Sequence, residues 1–184
     1  MASIFTRAGD EGYTGILGKG RVPKYDLRLE AVGTLDEANA CLGVARHHCQ
    51  DPKSKQLLIH IQHQLYTLMG EIAATPENAE KFSAITSEQV DWLEECTNKL
   101  TQTTKFPSEF IVPGDTLAGA ALDVARTVVR RSERRVVELF HQKAITNSEL
   151  LRYLNRLSSF LFALELSENQ FSGRDYLTLG KDLD

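Results

Sequence analysis

Arg126, Arg130 and Arg134 stand one helical turn apart in the segment "ARTVVRRSERR". Guanidiniums at i, i+4 and i+8 share one face of a helix, and their forked N–H groups suit the oxygens of a polyphosphate. A second feature lies near the N-terminus. The stretch "TRAGDEGYTG", Thr6 to Gly15, crowds three glycines, two threonines and an arginine into ten positions. Glycine lets backbone N–H groups come close to phosphate oxygens, and Thr6 and Thr14 add hydroxyls. The GxxxxGK[ST] pattern of a P-loop is absent, as is its βαβ setting. "GKGR", Gly18 to Arg21, adds positive charge. Tail and arginine helix together point to a nucleotide polyphosphate site. The plain alternative for the arginines is a solvated face laced with ion pairs.

Other clusters say less. A di-metal carboxylate bundle needs two ExxH motifs, and only Glu138 with His141 supplies one. His60 and His63 have no carboxylate at a convincing spacing, and His47 with His48 suggests no site. Cys41, Cys49 and Cys96 are odd in number and form no CxxC pair, so reduced thiols in a cytoplasmic protein are expected.

The elements that must carry these groups are helical. With 184 residues, 42% hydrophobic and 25% charged, the chain is expected to form one globular domain. Its net charge of −4 argues against an extended nucleic-acid surface. No apolar run approaches the ~20 residues that span a bilayer, and "MASIFTRAGDEG" turns polar too soon for a secretory signal. From Leu27, apolar residues recur at helical spacing: Leu35, Ala38, Leu42 and Ala45, then Leu57, Ile61, Leu65, Leu68 and Ile72. Residues 75–83 read as a loop. A third helix starts at Thr86 or Ser87, a fourth spans about Asp115 to Gln142, and "TNSELLRYLNRLSSFLFALEL" gives a fifth. Strand signals are weak throughout. In the fourth helix Leu117, Ala121, Val124, Ala125 and Val128 share a broad arc, with Asp115, Gly119, Asp123, Arg126, Arg130 and Glu133 opposite. The pattern predicts an all-α, antiparallel helix bundle.

Five blocks in order, "TRAGDEGYTG", "RVPKYDLRLEAVGTLDEANA", "FIVPGD", "ARTVVRRSERR" and "YLNRLS", resemble the PduO-type ATP:corrinoid adenosyltransferases from Thr6 to about Ala163. The resemblance implies a ferritin-like five-helix bundle, one domain over 1–184. Residues 1–26 form its ATP-binding tail, 27–170 the bundle and 171–184 an irregular C-terminal tail. It implies a homotrimer with active sites between subunits, ATP and cobalamin as substrates, and Mg²⁺. A flavoprotein reductase and a cobalamin-dependent acceptor enzyme are the implied partners, with no nucleic acid and no membrane. Carried over by position, Thr6, Arg7, Ala8, Gly9 and Thr14 line the nucleotide and Lys24 reaches its phosphates. Arg130, Arg131, Ser132, Glu133 and Arg134 match the polyphosphate and metal block, with Glu133 toward Mg²⁺, and Asn155 also meets the nucleotide. Phe110 excludes a lower cobalt ligand, and Asp36 with Arg126 forms an acid–arginine pair on the corrinoid side. The implied reaction moves the 5′-deoxyadenosyl group of ATP to cob(I)alamin and releases triphosphate. A corrinoid or nucleotide delivery protein without efficient turnover, and a purely structural bundle, are the competing readings.

The chain departs from the family's pattern at three places. Asp115 stands where glycine is usual, Asp123 where histidine is common, and Ser159 where aspartate is usual. Asp115 and Asp123 either pair with Arg126 and Arg130 or lower corrinoid affinity.

Overall fold

A computed structural model describes residues 5–83, 85–174 and 176–181; the outermost residues of both expected tails lie outside this range. A short hairpin pairs β1 (Tyr13–Gly15) with β2 (Arg21–Pro23), antiparallel, Thr14 opposite Val22. Six helices follow: α1 (Leu27–His48), α2 (Pro52–Ala73), the single turn α3 (Ala79–Phe82), α4 (Ser87–Thr103), α5 (Leu117–His141) and α6 (Glu149–Phe171). The boundaries have local causes. Asp26 and Asp51 cap the amides of Arg28 and Lys53, with Pro52 opening α2 where no intrahelical N–H is needed. Thr86 and Gln89 form a capping box on α4, and the Thr116 hydroxyl accepts from the Gly119 amide on α5.

Side-chain bonds at the helix ends set the directions. Arg28, at the start of α1, donates to the carbonyls of Ile72 and Ala74 at the end of α2 and to Ala144 just past α5 (2.8 Å to the last). At the other end, Glu168 of α6 accepts from the amides of Gln50 (2.8 Å) and Asp51 (3.3 Å) in the α1–α2 turn. Gln170 of α6 reaches the Thr103 carbonyl at the end of α4. Thus α1, α4 and α6 run one way and α2 and α5 the other. Their inward faces form one core from Ala31, Leu35 and Leu42 through Leu58, Leu65 and Leu93 to Tyr153, Leu157 and Leu161.

Three findings differ from the sequence reading. The tail is a docked hairpin: Leu17 donates to the Ala73 carbonyl (2.9 Å) and accepts from the Thr75 amide (3.1 Å). Gly18 is needed there, because a Cβ would sit 2.2 Å from the Thr75 hydroxyl. The loop after α2 contains a 3₁₀ turn, Pro76–Asn78, and α3. The third concerns α5, which buries Ala118, Leu122, Ala125, Val129, Ser132 and Val136, while Leu117 is 72% exposed, Val124 is 55% exposed and Asp123 is buried. Packed between α1 and α6, α5 buries two flanks, so the middle of its apolar arc is left facing out.

Replacing Arg28 with Met should cost about 2–3 kcal/mol, because carbonyls of two helix ends lose a charged donor. Arg28→Lys should recover less than half, since an ammonium lacks the fork that reaches both ends. Urea denaturation measures this; a loss below about 0.5 kcal/mol would remove Arg28 as the clamp.

Candidate functional site at the α5–α6 seam

The antiparallel packing of α5 on α6 has a register that can be read contact by contact. Gly119 lies against Asn169, whose Oδ1 would be 2.5 Å from a Cβ at that glycine and accepts from the Thr116 hydroxyl (2.6 Å). Seven residues along α5 and seven back along α6, Arg126 and Phe162 line one cavity. After the next seven, Asn155 donates to Glu133 (3.1 Å). Seven residues are two turns, so the seam presents the same two faces throughout. Within it Asp123 falls level with Glu165.

Asp123 and Arg126 form an ion pair of 2.7 Å, one turn apart and largely shielded. Glu165 behind them is fully buried, and neither of its oxygens has a hydrogen-bond partner. Burial, then the negative charge of Asp123, push its carboxyl up to about 8 against the pull of Arg126, with Asp115 adding to the rise. A proton therefore sits on Glu165 at neutral pH.

The cavity beside this pair holds about 460 Å³ and is lined by Pro107, Phe110, Ile111, Pro113, Asp123, Arg126 and Phe162 among others. Phe110 projects from the wall, 93% exposed. Its loop is held by the C-terminal segment, which bonds main chain to main chain: Val112 to the Thr178 carbonyl and Gly180 to the Phe110 carbonyl, both 2.8 Å. Asp115 clamps the same segment by accepting from the amide (3.0 Å) and hydroxyl (2.8 Å) of Thr178. Of the two aspartates, Asp123 pairs with Arg126, whereas Asp115 is engaged by the C-terminal tail.

Further along α5, Arg130 and Arg134 are exposed and make no ion pair among the described residues. Arg131 points the other way and pairs with Glu37 of α1. Ser132 is fully buried, and its hydroxyl donates to the Val128 carbonyl (3.0 Å). Asp36 is exposed on α1, and Arg126 within the chain is taken by Asp123 instead. No three His, Cys, Asp or Glu side chains gather to hold a metal among the described residues. Glu133, one oxygen fixed by Asn155, suits Mg²⁺, which commonly takes one carboxylate plus phosphate and water oxygens.

The tail residues lie together. Arg21 donates to the carbonyls of Ala8 and Tyr13, and turns close from Arg7 to Asp10 and from Gly9 to Gly12. Arg7 adopts a positive φ of 58°, and a Cβ on Gly9 would lie 3.1 Å from the Lys24 Nζ. Thr6, Arg7, Ala8, Gly9 and Lys24 thus form one polar cluster, with Thr14 on β1 beneath it. It is rooted at the Arg28 end of the bundle, whereas Arg126 lies 15 residues before the end of α5 at His141, about 22 Å along the helix. Missed in the sequence were Glu165, a lone acid in the apolar run "FLFALEL", and the segment 178–180, which carries no charge or motif.

Five long helices carry an arginine face, with a glycine-rich hairpin docked separately at one end of the bundle. A family model described as "Cobalamin adenosyltransferase" matches residues 4–168, and the chain belongs to that family. It is 38% identical to a corrinoid adenosyltransferase of Bacillus subtilis, over 92% of this chain and 88% of that protein. It is 39% identical to the corrinoid adenosyltransferase PduO of Citrobacter freundii, over 91% of this chain but half of that longer protein. A solved structure of a variant PduO-type ATP:corrinoid adenosyltransferase from Lactobacillus reuteri, complexed with cobalamin and ATP, superposes with a TM-score of 0.88. It shares 31% identity, covering 98% of this chain and all of that one.

Two outcomes follow from the geometry. Asp115→Ala, which removes both bonds to Thr178, should raise amide exchange at Val112 and Gly180 by at least roughly tenfold; unchanged exchange would show the segment holds without the clamp. Glu165→Gln should stabilise the fold increasingly with pH. The wild-type carboxyl keeps a proton when folded that it releases when unfolded, so wild-type stability falls as pH rises from the ordinary glutamate range through about 8. The difference in urea melts should be near zero at pH 4 and reach roughly 1–3 kcal/mol at pH 8.

Proposed function

We propose that this chain transfers the 5′-deoxyadenosyl group of ATP to cob(I)alamin, forming adenosylcobalamin and inorganic triphosphate. The observation that carries it is the pairing, on one helix, of two unpaired arginines beside the Glu133–Asn155 bond with the cavity walled by Phe110 and Arg126. One end suits a polyphosphate and the other a large, mostly apolar ring system.

The chemistry asks for alignment more than for proton transfer. Cobalt(I) attacks C5′ of the ribose; the cobalt–carbon bond forms as the carbon–oxygen bond breaks, and the electron pair leaves on triphosphate. Arg130 and Arg134 meet that growing negative charge, and holding the two substrates in line supplies the rest. Bound at Glu133, Mg²⁺ would screen the phosphate oxygens. Thr6, Arg7, Ala8, Gly9, Thr14 and Lys24 enclose the nucleotide, with Asn155 at its other side. Phe110 lies against the corrin and keeps water or a base from the lower cobalt face, which eases reduction to cobalt(I). Asp36, as the acid matched with Arg126, shapes the corrinoid side.

Three features support a homotrimer of five-helix bundles with sites between subunits. The tail cluster is rooted at the Arg28 end of the bundle, whereas Arg126 of the Phe110 cavity lies about 22 Å along α5 from that end, so a nucleotide that meets both groups draws on a second copy. Leu117 and Val124 are exposed on α5. Val44, 55% exposed on α1, is level with Val124 in the register that the Glu37–Arg131 pair sets, giving an apolar stripe for a partner. No helix among the described residues is long and apolar enough to cross a membrane. We assign the protein to the cytoplasm, with a flavoprotein reductase upstream and a cobalamin-dependent enzyme downstream. The domain runs through the whole chain, its tail binding ATP and residues 27–170 forming the bundle.

An anaerobic assay with ATP, Mg²⁺ and chemically reduced cobalamin tests this by loss of the cob(I)alamin band and appearance of a light-sensitive product. Arg130→Ala should lower kcat by about 10²–10³-fold, as when a donor to developing charge is removed. Binding of both substrates without turnover in the wild type would favour a delivery protein instead.

A further inference from the structure

We propose that Glu165 is a positioning residue for the corrinoid cavity: as an uncharged acid behind the Asp123–Arg126 pair it leaves Arg126 available to the ligand, and on losing its proton it draws Arg126 into the seam. This rests on reading the Phe110 cavity as the corrinoid site.

The geometry supplies each part. Nε of Arg126 bonds Asp123 at 2.7 Å, which leaves its two terminal nitrogens without a hydrogen bond among the described residues, and the side chain, 27% exposed, lines the cavity. A corrin carries carboxamide side chains, whose carbonyls accept from such nitrogens. Glu165 lies level with Asp123 across the seam, fully buried, both oxygens without a partner. An acid so placed has two stable arrangements. Neutral, it packs as a polar but uncharged side chain, and Asp123 alone balances Arg126. Ionised, it leaves two buried carboxylates acting on one cation, and sharing Arg126 inside the seam compensates the second charge.

The groups around Glu165 leave this partnership alone. Asp123 and Arg126 on α5 and Asp115 before it are the charges that act on it. On α4, Glu94 is engaged with Arg156 and Lys99 with Glu95. On α6 itself, Glu168 is held by the amides of Gln50 and Asp51, at the start of α2. Burial raises the thiols of Cys41, Cys49 and Cys96 above their ordinary range, which removes them as titrating groups near pH 8.

The test is the affinity for cob(II)alamin, with saturating ATP and Mg²⁺, measured anaerobically by calorimetry between pH 6.5 and 9.5 for wild type, Glu165→Gln and Arg126→Ala. Wild-type affinity should fall by at least about fivefold across this range, with about thirtyfold as the limit for one required proton. Glu165→Gln, which cannot ionise, should vary less than about twofold, a difference that loss of packing alone does not produce. Arg126→Ala should bind weakly at every pH. If Glu165→Gln retains the wild-type pH profile while Arg126→Ala is weakened, Glu165 has no positioning role and the cavity assignment stands. If Arg126→Ala binds as wild type at all pH values, the cavity is not the corrinoid site and both readings fall.

Discussion

The register of α5 against α6 is the constraint from which the candidate site is built. It is fixed at one end by Gly119, whose missing side chain lets Asn169 close on the first turns of α5, and at the other by the Glu133–Asn155 bond. Between these points each helix offers a residue to the seam every half-heptad, so Asp123, Arg126 and Glu133 have their neighbours assigned by geometry. Shifting either helix by one residue would turn Arg126 from the cavity and part Glu133 from Asn155 together. The arginine face beside Glu133 and the cavity are therefore not separate inventions on one scaffold; they are two stretches of one interface.

The ends of the bundle perform a different task. Arg28 gathers the carbonyl ends of two helices at the pole where the hairpin docks, and Glu168 takes up amides at the opposite pole. Asn147 adds a third tie, donating to Glu71 (2.7 Å) and to the Ile85 carbonyl (2.9 Å), between α2, the residue before the α4 cap and the start of α6. Helix termini leave backbone groups without partners, and here long polar side chains from other helices satisfy them. The same bonds that complete the ends thus set helix direction and leave the seam to side-chain complementarity.

The long helices were legible in the sequence because each carries its own period and caps: Leu35, Ala38, Leu42 and Ala45 are all fully buried, and Thr86 caps α4 as its capping-box spacing requires. The rotation of α5 was not. Its apolar residues cover more than half the circumference, so the moment gives a direction but not which flank meets α1 and which meets α6; Leu117 and Val124 were expected inside and lie outside. Arg130, Arg134 and Glu133 were visible from spacing and family motif, while burial of Ser132 follows from a position between Val129 and Val136 that motif matching ignores. Glu165 was missed, because a charge in an apolar run acquires meaning only once Asp123 is found across from it. The hairpin was hidden because strands of three residues leave no alternation to detect.

The C-terminal segment has a consequence for how such proteins diverge. Residues 178–180 hold the Phe110 loop by main-chain bonds, which any residue but proline can make at the donating positions. They also lie beyond the stretch that the family model matches. Apart from the Thr178 hydroxyl held by Asp115, the brace is main chain, and each change in length or stiffness alters how firmly the loop is held. Substrate preference could thus be retuned in descendants through a stretch of chain that contributes no reactive group, leaving the seam and its arginines untouched by selection for a new ligand.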